Sequence, residues 1–355
     1  MILQRYIFRE LLITFVVAFA ILVSVCSVGL IFNMFRSTEG ITLSLIFDAI
    51  PLAFAFMAPW ALIVAATLAG TMVYGRLSAE NEIDAMRTSG IHMGRVIAPA
   101  LLFALLVFVL AFLAQHEVAP RARFARRDIA GNSILAMLSN PPGGDQNIRI
   151  SGRIHLSYLD ARDGEIVQPT VAEYDDDGAL VRQFRGSKGI IQVLDDRTVK
   201  ITIKDGNITI KKDGQETVTG IITEGSIPPI KLDNPNEKRK GAEDYTGLEL
   251  VSEWSRSWGG MRDVYYTELH LRFAKSLGPM VLILLGILIG IRVRKGTKMS
   301  GLGMALPPLL LYFILFFVGQ SLAQRRLVAP EIGAYSPNAV VLVAATVLAW
   351  RVLRV

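Results

Sequence analysis

The chain alternates between long apolar segments and short polar ones. A bilayer core of about 30 Å is crossed by about 20 apolar residues in a helix. Six segments meet or approach this length, and their positions are about 11–35, 46–74, 96–114, 274–291, 302–320 and 337–350. The pattern predicts an α-helical polytopic membrane protein with six transmembrane helices, in which the first is a retained anchor. An even number of spans places both ends of the chain on one side.

The segment between the third and fourth spans has a different periodicity. Short runs such as RIHLSYLD and TVKITIKDGNITIKK alternate apolar with polar residues across about 145–230. A period of two is typical of strands with one buried face. Hairpin turns are predicted at Asp163-Gly164, Asp177-Gly178 and Asp205-Gly206-Asn207. The sequence therefore predicts an inserted extracytoplasmic all-β domain, jellyroll-like in style.

These patterns divide the chain into three parts. The parts are 1–114, with three spans and a short polar helix at about 75–95; 115–272, with the β domain; and 273–355, with the last three spans. A polar linker, LDNPNEKRKGAED, follows the β domain. After it, Thr246 and Glu249 have the spacing of a capping box, which predicts a short helix before the fourth span.

Composition and charge agree with a membrane protein and set its orientation. Hydrophobic residues make up 52% of the chain, and the mean hydropathy is +0.43. Short loops on the cytoplasmic side of a membrane carry an excess of Lys and Arg. Eleven such residues belong to one side: Arg5, Arg9, Arg76, Arg87, Arg95, Arg292, Arg294, Lys295, Lys298, Arg351 and Arg354. We expect that side to be cytoplasmic, with residues 115–273 outside.

The sequence gives little support to catalysis or ion coupling. It contains no phosphate-binding P-loop, no H-E-x-x-H and no G-x-S-x-G. The four histidines, His92, His116, His155 and His270, are scattered, and no metal site is predicted. An ion-coupled carrier usually has ionisable groups within its spans. Here the cores of the first five spans have only the thiol of Cys26, so we expect energy to come from a partner protein.

The segment GRLSAENEIDAMRTSGIHMGR, residues 75–95, is a short acidic helix between the second and third spans. On a helical wheel Ala79, Ile83, Met86 and Gly90 share one arc. The carboxylates of Glu80 and Asp84 lie opposite, and Glu82 lies at the border. We expect Ser78 at the N-cap and Gly90 at the stop. A membrane-surface helix would favour Lys and Arg, so this helix fits a basic protein surface. The alternative is a solvated loop.

Basic residues also occur on the expected outer side. RARFARR, residues 121–127, follows the third span, and further cations are Arg36, Arg256, Arg262, Arg272, Lys275, Arg325 and Arg326. Arginine binds phosphate through its planar fork, so an anionic ligand would explain them. The alternative is that they are solvated charges at helix ends.

Prolines predict bends in the second and fifth spans. They are Pro51, Pro59, Pro307 and Pro308, and such bends suit a gate or an ordinary kink.

Four segments together resemble one known family. They are RYIFRELL, GRLSAENEIDAMRTSGI, YYTELHLRFAKSLGPMVLILLGILIG and YSPN. They are similar to the LptF/LptG (YjgP/YjgQ) permeases of lipopolysaccharide export, and the likeness spans nearly the whole chain. It implies a non-catalytic, multi-pass subunit of the bacterial inner membrane with its β domain in the periplasm. The implied partners are a second LptF/LptG-type permease, a cytoplasmic ABC ATPase dimer, an LptC-like bitopic protein and lipopolysaccharide, with no nucleic acid.

The resemblance also implies roles for particular residues. The 75–95 helix would be the coupling helix in the ATPase groove, with Glu82 at the family's key acidic position; its candidate contacts are Glu80, Glu82, Asp84, Met86, Arg87 and Gly90. The first and fifth spans would form a lateral gate, which includes Pro307 and Pro308. Family members often have basic residues in the outer first span, where this chain offers only Arg36. The candidate lipid-phosphate contacts are Arg36, Arg121, Arg123 and Arg126. The chain itself would bind no cofactor, because ATP acts through the partner.

The favoured hypothesis is a permease that extracts lipopolysaccharide from the outer leaflet and passes it to a periplasmic bridge. Two rivals remain. One is an ATPase-coupled membrane protein that transmits motion without passing lipid, and the other is an ion-coupled secondary transporter.

Overall fold

The computed structural model describes residues 2–35, 43–150, 153–162, 164–175, 178–194, 198–211, 217–231, 240–292 and 300–353. Within these ranges the chain forms nine α-helices. They are α1 (Ile2–Phe35), α2 (Leu43–Ala79), α3 (Glu82–Thr88), α4 (Met93–Leu113), α5 (Ala119–Ser139), α6 (Gly247–Arg256), α7 (Gly260–Arg292), α8 (Ser300–Gln324) and α9 (Pro330–Leu353).

Six helical segments of this described part are long and apolar enough to cross a membrane. They are Ile2–Phe32, Ile50–Ala79, Met93–Ala125, Gly260–Arg292, Gly303–Gln324 and Pro330–Arg351. This confirms the predicted six transmembrane helices. Most of the helices run beyond the apolar segments, because a helix ends at a cap or a breaker and not where hydrophobicity ends.

The third span continues into α5 through a π-helical turn, Ala114–Val118. This turn lies directly before Pro120, which lacks an amide proton and whose ring crowds the carbonyl four residues earlier, that of His116. A π turn makes room at such a position and keeps the helix continuous. The third span therefore continues past the π-helical turn into the start of α5.

The β region forms one sheet in which every described strand pair is antiparallel. Its strands are β1 (Gln146–Arg149), β2 (Ile154–Tyr158), β3 (Asp160–Arg162), β4 (Glu165–Val167), β5 (Thr170–Tyr174), β6 (Leu180–Leu194), β7 (Thr198–Lys211), β8 (Thr217–Ser226) and β9 (Ile230–Lys231). Long β6 pairs with β7 along its length, and on its other edge it pairs first with β5 and then with β4. The inserted β domain between the third and fourth spans is confirmed.

The predicted turns at Asp163-Gly164 and Asp177-Gly178 fall between paired strands, although Asp163 and Asp177 themselves lie outside the described residues. The third predicted turn is wrong. Gly164, between β3 and β4, and Gly178, between β5 and β6, have the positive φ that glycine accepts. The turn expected at Asp205-Gly206-Asn207 does not form, because β7 runs straight through it. Instead Asp205 takes a φ of 48°, and Gly206 lies opposite Gly186, where a Cβ would meet the carbonyl of Arg185. The glycine therefore permits close strand approach within a long ribbon.

The chain has two compact units. One comprises residues 1–28, 53–123 and 240–355, and the other comprises 29–52 and 124–239. In the first unit, α7 is the central helix: 78% of its most apolar window is buried, against 22% in α1 and 28% in α8. In the second unit, Leu138 of α5 packs with sheet residues such as Leu156 and Ile201.

Close packing around α7 depends on small residues. A Cβ on Gly290 would lie 2.7 Å from the amide nitrogen of Gly75 and 2.9 Å from the carbonyl oxygen of Thr71, both on α2. Small residues of this kind let the backbones of membrane helices approach each other. The contact fixes α2, which leads to α3, against the central helix.

Candidate functional site

The acidic helix α3 is shorter than predicted and begins later. Asn81, with a φ of 57°, occupies the N-cap position, and Glu80 lies in the preceding turn. The prediction of Ser78 as N-cap is wrong: Ser78 is buried in the last turn of α2, and its hydroxyl donates to the carbonyl oxygen of Ile291 at 2.8 Å. Tertiary contact with α7 satisfies this hydroxyl, so α2 continues past it.

The predicted stop at Gly90 is confirmed. Gly90 has a φ of 82°, its amide donates to the carbonyl of Arg87 at 3.0 Å, and the amide of Ile91 donates to the carbonyl of Met86 at 3.0 Å. These two bonds are those of a Schellman motif, which ends a helix at a left-handed residue. The motif sets the direction in which the chain leaves α3 for α4.

The apolar face of α3 packs inward. Ile83 and Met86 are buried in a core with residues of α1, α2, α4 and α7. Met86 therefore contacts the chain itself, whereas Glu80 and Gly90 are exposed, and Glu82, Asp84 and Arg87 are partly exposed. The arrangement leaves a polar outer face anchored by an apolar inner one.

Arg76, at the end of α2, joins this loop to the first span. Its Nη2 donates to Glu10 Oε2 at 2.9 Å and to Tyr6 Oη at 3.3 Å, and its Nη1 lies 3.4 Å from Glu80 Oε2. Tyr6 Oη in turn lies 3.5 Å from Glu82 Oε1. We call these five residues the Arg76 cluster. It connects α1, α2 and α3 on the side expected to be cytoplasmic.

The carboxyl group of Glu82 has an unusual electrostatic environment. Burial raises its pKa above the ordinary value, and the nearby charge of Glu80 adds to this effect while Arg76 opposes it. A further positive charge nearby would therefore stabilise the ionised form of Glu82. Sequence reasoning missed Tyr6 and Glu10, although their spacing of four residues places both on one face of α1.

Two of the predicted lipid-phosphate residues, Arg121 and Arg123, have side chains that the structure describes, and their surroundings differ. Arg121 is 71% exposed and pairs with Glu117 at 2.7 Å. Arg123 is mostly buried, pairs with Glu243 at 3.1 Å and lies over the ring of Phe56. Arg126 lies on α5, but its side chain is outside the described residues, as is Arg36.

Two further basic residues on the expected outer side, Arg272 and Lys275, are buried and contact neighbouring elements. Arg272 is buried, pairs with Glu268 at 2.8 Å and donates to the carbonyl oxygens of Tyr245 and Ala242 at 2.6 and 3.0 Å. Buried Lys275 lies over the rings of Trp60 and Phe316, 5.2 and 5.3 Å from their centroids. Such rings attract a cation. These side chains hold helices together.

The prolines of the fifth span lie inside one helix. α8 remains continuous through Pro307 and Pro308, although the carbonyls of Gly303 and Met304 lose their amide partners there. Pro307 is exposed and Pro308 is partly buried. Their role in a gate stays a prediction.

Among the residues that the structure describes, no group of three or more His, Cys, Asp or Glu side chains is arranged to hold a metal ion. The geometry offers instead a polar loop anchored to a membrane bundle and an inserted β domain.

Comparison with known proteins agrees with the resemblance. No curated protein matches the chain significantly. The sequence model of one family, described as lipopolysaccharide export system permease LptF/LptG, matches residues 5–351. With six spans and a β domain inserted between the third and fourth, the chain belongs to the LptF/LptG family of lipopolysaccharide export permeases.

Proposed function

We propose that this chain is one permease subunit of an ATP-driven exporter that extracts lipopolysaccharide from the outer leaflet of the bacterial inner membrane and passes it to a periplasmic bridge. The family match over residues 5–351 carries the proposal. ATP hydrolysis belongs to a partner ATPase dimer, so the chain itself is non-catalytic and binds no cofactor. The other partners are a second permease and an LptC-like bitopic protein.

The loop around α3 is the proposed docking site for the ATPase. Its inner face is fixed in the core by Ile83 and Met86, while Glu80, Glu82, Asp84, Arg87 and Gly90 surround the outer face. A basic groove on the ATPase would complement the carboxylates. The raised pKa of Glu82 supports this role, because a neighbouring cation would stabilise the ionised form of this partly buried carboxyl group.

The Arg76 cluster supports a route for force. Movement of α3 would act on α1 through Glu82, Tyr6 and Arg76. In the proposed mechanism α1 and α8 form the lateral gate, in which Pro307 and Pro308 loosen α8. The low burial of these two helices, 22% and 28%, supports an apolar surface available to lipid or to the second permease.

The outer side of the proposed path is basic. Arg121 is more accessible than Arg123, the other predicted phosphate contact whose side chain the structure describes. Arg36 and Arg126 complete the predicted set. The β domain would lie in the periplasm and continue the lipid's path.

Co-purification from membranes tests the proposal. Wild-type protein should bring down an ATPase and a second permease, and Glu82→Lys should lose the ATPase because it reverses the docking charge. Glu224→Lys, on exposed β8, is the matched control and should retain it. Photo-crosslinking from α1 should capture lipopolysaccharide.

The outcomes separate the rivals. An absence of ATPase in the wild-type eluate contradicts an ATP-driven role. Co-purified ATPase without any lipid crosslink from α1 favours the protein that transmits motion without passing lipid. Ion-dependent transport in vesicles that lack an ATPase would revive the secondary transporter.

A further inference from the structure

A crevice of about 510 Å³ lies between the third span, α6, α7 and α9. Its walls include Phe112 and His116 from the third span, Leu248 and Val251 from α6, and Phe273 from α7. None of its described lining residues belongs to α1 or α8, the helices of the proposed gate. The crevice therefore requires an explanation other than export.

The sequence places this crevice at the edge of the hydrocarbon layer. About 20 helical residues cross that layer, and its cytoplasmic edge is marked by Arg95 before the third span and by Arg292 at the end of α7. Counting from these arginines, the outer edge falls near Gln115 and Phe273. The crevice thus extends from the acyl region into the headgroup region.

Its chemistry changes at the same level. Phe112, Leu113 and Phe273 lie within the counted span, whereas Glu117 and His270 lie beyond it. The lining is largely apolar, so it suits the chain of an amphiphile, and the few polar groups lie at its outer end.

His116 of the π-helical turn forms part of the crevice wall. The residue is 8% exposed, and its ring stacks on that of Phe112 with centroids 4.2 Å apart. Among the described residues its Nε2 has no hydrogen-bond partner. This atom has almost no exposed surface, so His116 contributes its ring to the wall of the crevice and no accessible hydrogen-bonding atom at Nε2. The π-helical turn that carries His116 is itself a feature that is frequent at functional sites.

The helix α6 has the properties of a helix that lies in a membrane interface. Leu250 anchors it in the fold with no exposed surface, while Leu248 is 81% exposed. Trp258, immediately after the helix, is 86% exposed, and Arg256 is also exposed. Trp is enriched at the headgroup level of membrane proteins, where its amphipathic ring is stable. Because α6 leads directly into the membrane-spanning α7, its exposed apolar face lies where lipid is present.

We propose that this crevice binds one acyl chain of a glycerophospholipid from the outer leaflet. The chain lies between Phe112, Val251 and Phe273. The glycerol region lies beyond Phe273, towards Glu117 and His270. This is a resident-lipid site, lined by α4, α6, α7 and α9, and it goes beyond the proposed export of lipopolysaccharide.

The test uses the full chain, purified from membranes with the subunits that accompany it, in nanodiscs of phosphatidylethanolamine and phosphatidylglycerol. A small fraction of the phosphatidylethanolamine has a diazirine in its acyl chain, and labelled peptides are mapped by mass spectrometry after irradiation. Peptides that contain residues 112–117, 247–251 and 269–273 should be labelled most. Val251→Trp should lower this labelling by about tenfold, because a chain excluded from the crevice loses the burial of two or more methylene groups.

Val264→Trp is the matched control, since Val251 and Val264 are both 46% exposed and only Val251 lines the crevice. The control should keep wild-type labelling. Leu248→Asp gives a second test that does not depend on core packing, because Leu248 is largely exposed, and it should also lower labelling.

Three results would overturn the proposal: uniform labelling of all lipid-facing peptides, labelling that survives both Val251→Trp and Leu248→Asp, or loss of labelling on addition of lipopolysaccharide. The last result would assign the crevice to the exported lipid. This readout is independent of ATP hydrolysis, so failure of the export proposal leaves it interpretable.

Discussion

Arg272 and Glu268, one helical turn apart on α7, form an ion pair at 2.8 Å with side chains only 2% and 9% exposed. The carbonyl oxygens of Tyr245 and Ala242 accept hydrogen bonds from Nη1 and Nη2 of the same guanidinium. Sequence reasoning grouped Arg272 with cations available to an anionic ligand. The structure uses it to hold the segment before α6 against α7.

Replacing Arg272 by Met should destabilise the protein strongly. It leaves Glu268 buried without its partner, a change that costs about 3–5 kcal/mol in comparable pairs. Thermal unfolding in detergent, followed by intrinsic fluorescence, measures the effect. Arg121→Met is the matched control, because the Arg121–Glu117 pair has the same spacing but lies on the surface. The control should lower the free energy of unfolding by less than about 1 kcal/mol. Equal destabilisation by the two substitutions would contradict the structural role of Arg272.

Replacing Gly290 by Ala should weaken the contact between α7 and α2. The added Cβ meets backbone atoms of Gly75 and Thr71, which cannot rotate away. Overpacking of this kind costs about 1–3 kcal/mol, and thermal unfolding again measures it. Gly303→Ala, which meets nothing within 4 Å on α8, should be neutral or slightly stabilising. Tolerance of Gly290→Ala would show that the helices are further apart.

Replacing Gly90 by Ala should loosen the end of α3. An L-residue with a side chain pays about 1–2 kcal/mol for the left-handed conformation, here a φ of 82°. We expect faster hydrogen exchange of the amides in Glu82–Thr88. Asn tolerates this conformation better than Ala, so Gly90→Asn should exchange more slowly than Gly90→Ala. The same exchange rate in both variants would argue against the cap.

Replacing Arg76 by Gln should separate ATPase docking from transport. The substitution breaks the ion pairs of Arg76 with Glu10 and Glu80 and its hydrogen bond to Tyr6, the residue of α1 that Glu82 contacts. It leaves the outer face of α3 in place. We expect the ATPase to co-purify as before, while lipopolysaccharide release from proteoliposomes falls about twofold to thirtyfold, which corresponds to a coupling of about 0.5–2 kcal/mol. Arg95→Gln, an exposed cation outside the Arg76 cluster, should leave release unchanged. Unchanged release with Arg76→Gln would contradict the force route.

The capping box of α6 should make its stability depend on pH. A hydrogen bond from the amide of Thr246 at 2.9 Å holds the pKa of Glu249 below its ordinary value of 4.5. A group with a lowered pKa contributes stability above its unfolded pKa and loses it as the pH falls through the folded one. The difference in melting temperature between wild type and Glu249→Gln should therefore be largest near neutral pH and narrow below 4.5. A difference in melting temperature that does not change with pH would contradict a cap formed by the ionised Glu249.

Local patterns predicted much of this fold. The six spans follow from the length of the apolar runs, and the sheet follows from alternation with period two. The stop at Gly90 and the cap at Thr246 and Glu249 also followed from sequence, because a cap is formed by residues within one turn.

Where the prediction failed, the deciding partner was distant in the chain. Ser78 was expected to cap α3, but a carbonyl of α7 takes its hydroxyl. The turn expected at Asp205 does not form, because β7 pairs with β6 on both sides of this residue.

The sequence by itself determined which segments enter the membrane, which form strands and where several of the helices end, because hydropathy, periodicity and capping act over a few residues. The tertiary structure alone decided which charges are used internally and which remain accessible, as with Arg272 against Arg121, and that Glu82 lies beside Tyr6 and Arg76. Burial and ion pairing depend on groups that meet only after the helices pack, so no local pattern encodes them.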